Sequence, residues 1–110
     1  MAVQPDGLAV DVTQQNGTGM VTLAGELDLH TSPGLRDVLH ELLEGGQRNL
    51  VIDLSELAFV DSTGLGVLVG ALKKARQGGG DIELHTPSSP IRKALEITGL
   101  TQVFHVADKS

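Results

Sequence analysis

The run Asn49-Leu50-Val51-Ile52-Asp53-Leu54 is a continuous apolar segment of strand length. Such segments form strands covered on both faces in parallel or mixed sheets, so this one is predicted to be the central strand. Beyond it, Leu65, Leu68, Val69, Leu72 and Ala75 recur at helical spacing, which predicts a helix from about Ser62 to Gln77. Lys73, Lys74 and Arg76 fall in its last turns, where cations oppose the helix dipole favourably, and Gly78-Gly79-Gly80 stops it. Asp81-Ile82-Glu83-Leu84-His85 then alternates with period two and reads as a strand. Strand, helix and strand in this order form a βαβ unit, whose crossover is right-handed.

The flanking segments extend the pattern. Leu8–Val12 and Met20–Ala24 are short β-rich runs on either side of Gln15-Asn16-Gly17, and Asn-Gly is a strong hairpin signal. Ser32-Pro33 predicts an N-cap followed by proline at the first helical position. Leu35, Val38, Leu39, Leu42 and Leu43 then mark an amphipathic helix that ends at Gly45-Gly46. Ser89-Pro90 caps a third helix in the same way, with Ile91, Ala94, Leu95 and Thr98 inward and Gly99 at its end. A short strand near Gln102–Val106 closes the order β-β-α-β-α-β-α-β, an α/β domain with helices packed on a mixed sheet. The length of 110 residues suits a single domain with one core, predicted over about residues 8–106.

Composition narrows the partners. With 14 acidic and 8 basic side chains the formal charge is -6, which repels nucleic-acid backbones and anionic lipid headgroups. Leu65–Leu72, interrupted by Gly66 and Gly70, is the longest apolar stretch and far short of the roughly 20 residues of a membrane span. The start Met-Ala-Val-Gln-Pro-Asp lacks the features of a secretory signal, and there is no cysteine, so a cytoplasmic location is expected. Two Phe and no Trp or Tyr leave little aromatic surface for stacking on bases or sugars. His30, His40, His85 and His105 have no metal-ligand spacing, and no metal or cofactor site is expected. Gly66 and Gly70, four apart, are read as positions of close packing against the sheet or a partner.

Phe59-Val60-Asp61-Ser62-Thr63-Gly64-Leu65-Gly66 joins the central strand to the second helix, at the sheet edge where ligands and partners meet α/β folds. Ser62 is the predicted N-cap. There a serine hydroxyl lies beside free backbone N–H groups and the positive helix end, a setting that holds a phosphate. Two readings stand side by side at this point: Ser62 as a plain cap with Asp61 shaping the turn, or Ser62 as a modifiable hydroxyl. Asp28, in Gly25-Glu26-Leu27-Asp28 at the end of the second strand, is predicted on the same edge. It is either a solvated strand-end carboxylate or a group that, with Asp61, orients the serine or meets the magnesium of an incoming nucleotide. Catalysis is not expected. A hydrolase elbow needs Gly two positions before the serine, where Val60 stands, and Gly64-x-Gly66 has Val69 in place of the third glycine of a dinucleotide fingerprint.

Taken together, Gly25-Glu26-Leu27-Asp28, Val51-Ile52-Asp53-Leu54 and Asp61-Ser62-Thr63-Gly64-Leu65-Gly66 resemble the STAS-domain anti-sigma-factor antagonists of bacteria, over nearly the whole chain. The resemblance implies a single STAS domain and a partner-switching cycle. In that family the unphosphorylated antagonist binds an anti-sigma factor, often itself a serine kinase using ATP and magnesium, and so frees a sigma factor. Phosphorylation of the motif serine, here Ser62, breaks the complex, and a phosphatase restores it. Asp28, Asp61, Ser62, Thr63 and Gly64 are then the implied partner-binding residues. The alternative is a STAS module of a stress-signalling scaffold or transport complex, binding a different protein.

Overall fold

A computed structural model describes residues 2–3 and 7–108. Among the described residues one mixed sheet, in the spatial order β1-β2-β3-β4-β5-β6, carries three α-helices. The strands are β1 (Ala2–Val3), β2 (Leu8–Gln15), β3 (Thr18–Leu27), β4 (Asn49–Val60), β5 (Asp81–His85) and β6 (His105–Ala107). The helices are α1 (Ser32–Glu44), α2 (Ser62–Gln77) and α3 (Ser89–Ile97), and a 3-10 turn spans Leu100–Gln102. The predicted order is found, with β1 added at the start; two residues are too short to leave a periodic signal.

β2 and β3 pair antiparallel from Leu8↔Gly25 to Gln15↔Thr18, and the positive φ of both Asn16 and Gly17 makes the tight turn between them. β4 lies between β3 and β5 and is parallel to both, as expected of the central strand. It is not covered on both faces, however. Leu50, Ile52 and Leu54 are fully buried, whereas Val51 and Asp53 between them are only half-buried. The neighbouring strands alternate in the same way: Val21, Leu23, Ile82 and Leu84 point into the core, and Met20, Thr22, Glu83 and His85 point out. One sheet face is therefore packed under Leu35, Leu39, Leu68, Leu72, Ile91 and Leu95 of the helices, and the other is open. A single outward valine made β4 read as buried throughout.

All three helix starts are displaced by one residue. Thr31, Asp61 and Ser88 occupy the cap positions, and Ser32, Ser62 and Ser89 are the first helical residues, with Pro33 and Pro90 just after them. At α3 the Ser88 hydroxyl instead donates to the Leu57 carbonyl at 2.8 Å, tying the helix to β4. Thr98 is exposed, not inward, because its hydroxyl turns back to the Ala94 carbonyl at 2.8 Å. The final strand begins at His105, after the 3-10 turn and the buried Phe104.

Candidate functional site

β3 and β4 run parallel to their ends, where Leu27 faces Val60. The next residues, Asp28 and Asp61, therefore leave the sheet side by side on one edge, as the βαβ reading predicts. Their two turns are fastened together by one carboxylate. Asp61 Oδ2 accepts the Leu29 N–H at 3.0 Å, and Oδ1 accepts the Gly64 N–H at 2.9 Å. The Asp61 N–H donates to the Leu27 carbonyl at 3.1 Å. Asp61 thus caps α2 and holds the β3–α1 turn against it, which is why it, and not Ser62, takes the cap position.

Asp28 is the second structural carboxylate. Its Oδ1 accepts the N–H groups of His30 at 2.9 Å and Thr31 at 3.0 Å, while the Thr31 hydroxyl accepts the Asp28 N–H at 2.9 Å. Thr31 Oγ1 also donates to the Glu26 carbonyl at 2.9 Å. This reciprocal pair closes the helical turn that runs into α1, with the Ser32 N–H bonded to the Asp28 carbonyl at 2.9 Å. The Thr31 N–H, followed by His30 and the Thr31 hydroxyl, holds the Asp28 carboxyl below its ordinary value. Thr31 is almost wholly buried, and its role was missed in the sequence; the spacing Asp28-x-x-Thr31, a capping-box variant, was the available signal.

Ser62 is exposed as the first residue of α2, and its hydroxyl has no hydrogen-bond partner among the described residues. The Ser62 hydroxyl bonds to neither Asp28 nor Asp61, contrary to one of the two expectations: both Asp61 oxygens and Asp28 Oδ1 accept backbone N–H groups instead. Gly64 and Leu65 have their N–H groups satisfied by Asp61, whereas those of Ser62 and Thr63 have no partner within the helix. The exposed edge thus offers one hydroxyl, two free donors and the positive end of a 16-residue helix. Thr63 is exposed beside Ser62.

Gly64 is buried and sets how closely α2 approaches the sheet. A Cβ there would lie 2.6 Å from Leu27 Cγ, 2.9 Å from the Leu27 carbonyl oxygen and 3.0 Å from Val60 Cγ2. Gly66 and Gly70 do not serve close packing within the chain, since a Cβ at either meets nothing within 4 Å. Around the site, residues 24–31 and 55–66 contain Glu26, Asp28, Glu56 and Asp61 but no Lys or Arg. Among the described residues no cluster of three or more His, Cys, Asp or Glu is placed to hold a metal, and no helix is long and apolar enough to cross a membrane.

Residues 9–110 match the family model for the STAS domain. The chain is 39% identical over 101 residues to the anti-sigma-B factor antagonist of Bacillus subtilis (strain 168), covering 92% of each. Among solved structures it is similar to an anti-sigma factor antagonist from Mycobacterium paratuberculosis, at 28% identity and a TM-score of 0.83, over 94% of this chain and 88% of that one. It also shares its fold with the Bacillus cell fate determinant SpoIIAA in the phosphorylated form, with a TM-score of 0.76 at 24% identity, over 92% and 91% of the two chains.

Proposed function

The chain belongs to the STAS-domain family, and on that premise we propose that it is an anti-sigma factor antagonist working by partner switching. Unphosphorylated, it binds an anti-sigma factor through the edge formed by Asp28, Asp61, Ser62 and Thr63, and a sigma factor is released; Gly64, expected in that surface from the motif, is buried and instead sets how closely α2 approaches the sheet. A serine kinase, the anti-sigma factor itself or one acting with it, uses ATP and magnesium to phosphorylate Ser62, which breaks the complex; a phosphatase reverses this. The protein acts by binding, in the cytoplasm, and not as a catalyst. The similarity to the anti-sigma-B factor antagonist of Bacillus subtilis supports the first part. The observation that carries the second is the exposed, unengaged Ser62 hydroxyl at the start of α2.

The energetics favour loss of binding over loss of fold. A phosphoserine brings about -1.5 to -2 charges, and at an effective dielectric near 20 a unit pair about 6 Å apart repels by roughly 3 kcal/mol. In the free protein, solvent screens that repulsion, and the helix N-terminus returns about 0.3–2 kcal/mol. In a desolvated interface neither relief is complete, and a penalty of about 3–4 kcal/mol weakens binding by about two to three orders of magnitude.

The test is to incubate the purified protein with ATP, magnesium and the anti-sigma factor it retains, and to map phosphate by mass spectrometry beside Ser62→Ala. Phosphate on Ser62 alone, absent from the variant, is the expected result. Phosphate elsewhere with Ser62 unmodified would overturn the assignment.

A further inference from the structure

Two large apolar side chains stand exposed beside the Ser62 edge. Leu29, 62% exposed, follows Asp28, and Phe59, 48% exposed, precedes Asp61 by two residues and faces Glu26 across the β3–β4 pair. Among the described residues the other large exposed apolar side chains, Met20, Ile97 and Val103, lie in other segments. Scattered apolar residues on a surface are ordinary. These two differ in flanking the Asp28 and Asp61 turns. Phe59 sits within a paired strand, and the Leu29 backbone is bonded to the same Asp61 carboxylate that caps α2. Of the chain's two phenylalanines, Phe104 is buried and Phe59 is exposed, two residues before Asp61. Anchors of an interface are typically aromatic or large apolar groups that lose little freedom on docking, inside a ring of polar groups. Here the surrounding groups are carboxylates, since Glu26, Asp28, Glu56 and Asp61 share the edge with no cation in either segment.

We propose that Leu29 and Phe59 are the apolar anchors of the partner interface, and that they dock into an apolar pocket on the anti-sigma factor rimmed by Lys or Arg side chains. This rests on the partner-switching reading and adds the chemistry of the surface that must receive this edge. It also gives the Asp61–Leu29 bond a purpose: one anchor is preorganised by the residue next to the switch.

The experiment titrates Leu29→Ser, Phe59→Ala and the control Ile97→Ser against the purified anti-sigma factor captured by the wild-type protein, at low and high salt, with unfolding midpoints measured in parallel. Each anchor variant is expected to weaken binding about tenfold or more. Ile97→Ser should bind as wild type, and wild-type affinity should fall as salt rises. Leu29→Ser, at a more exposed site, decides the matter if Phe59→Ala proves unstable. If the wild type captures no anti-sigma factor, the functional reading falls, and the anchors with it. If it binds but Leu29→Ser binds equally well, or affinity is indifferent to salt, this proposal is overturned while the functional reading stands.

Discussion

The Leu29 N–H and the Asp61 carboxylate, 32 residues apart in sequence, are joined at 3.0 Å, so the turn after β3 and the first turn of α2 are one unit. Asp61→Ala removes both acceptors at once. The loss of a cap of this kind costs about 0.5–2 kcal/mol, and the melting temperature should fall by several degrees. Asp61→Asn retains one acceptor oxygen and should fall between the variant and wild type in thermal unfolding.

Gly64→Ala should destabilise the fold by about 1–3 kcal/mol, because the added methyl meets Leu27 and Val60 at 2.6–3.0 Å. Gly66→Ala and Gly70→Ala meet nothing within 4 Å and should instead stabilise α2, each by up to about 1 kcal/mol. Urea unfolding of the three variants should separate them in sign.

The Thr31 hydroxyl bridges the Glu26 carbonyl and the Asp28 N–H while almost wholly buried. Thr31→Val keeps the shape and strips both bonds, and should lower stability by about 1–3 kcal/mol in the same assay.

These predictions depend on features that differ in how far the sequence exposes them. Element order, the hairpin at Asn16-Gly17 and the edge shared by Asp28 and Asp61 follow from periodicity, turn chemistry and parallel pairing, all of which act locally or by simple geometry. The open sheet face was not legible, because Val51 alone made β4 look apolar on both sides. The helix caps lie one residue before the expected ones because Thr31-Ser32, Asp61-Ser62 and Ser88-Ser89 each offer neighbouring capping side chains, and the choice at Asp61 is made by a long-range bond to Leu29. The motif marks Gly64, but the reason for a glycine there, the approach of Leu27 from another strand, is a tertiary contact that spacing does not reveal.

Stability should depend on Asp28 at acid pH. The N–H groups of Thr31 and His30 hold its carboxyl below 3.8, so the folded state favours the ionised form more than the unfolded chain does. That contribution is complete above the unfolded value and is lost as pH falls from about 4 through the folded value. Denaturation midpoints followed downward from pH of about 6 should drop less steeply for Asp28→Asn than for wild type across this window.

In the proposed cycle the charge state of Ser62 decides partner binding without deciding the fold. This is tested most directly by titrating the anti-sigma factor with unphosphorylated protein, phospho-Ser62 protein, Ser62→Asp and Ser62→Ala, after confirming that all four unfold at similar midpoints. The phosphorylated form should bind about two to three orders of magnitude more weakly, with Ser62→Asp weakened in the same direction and Ser62→Ala binding as the unphosphorylated wild type does. Equal affinity for the phosphorylated and unphosphorylated forms would contradict the proposed cycle.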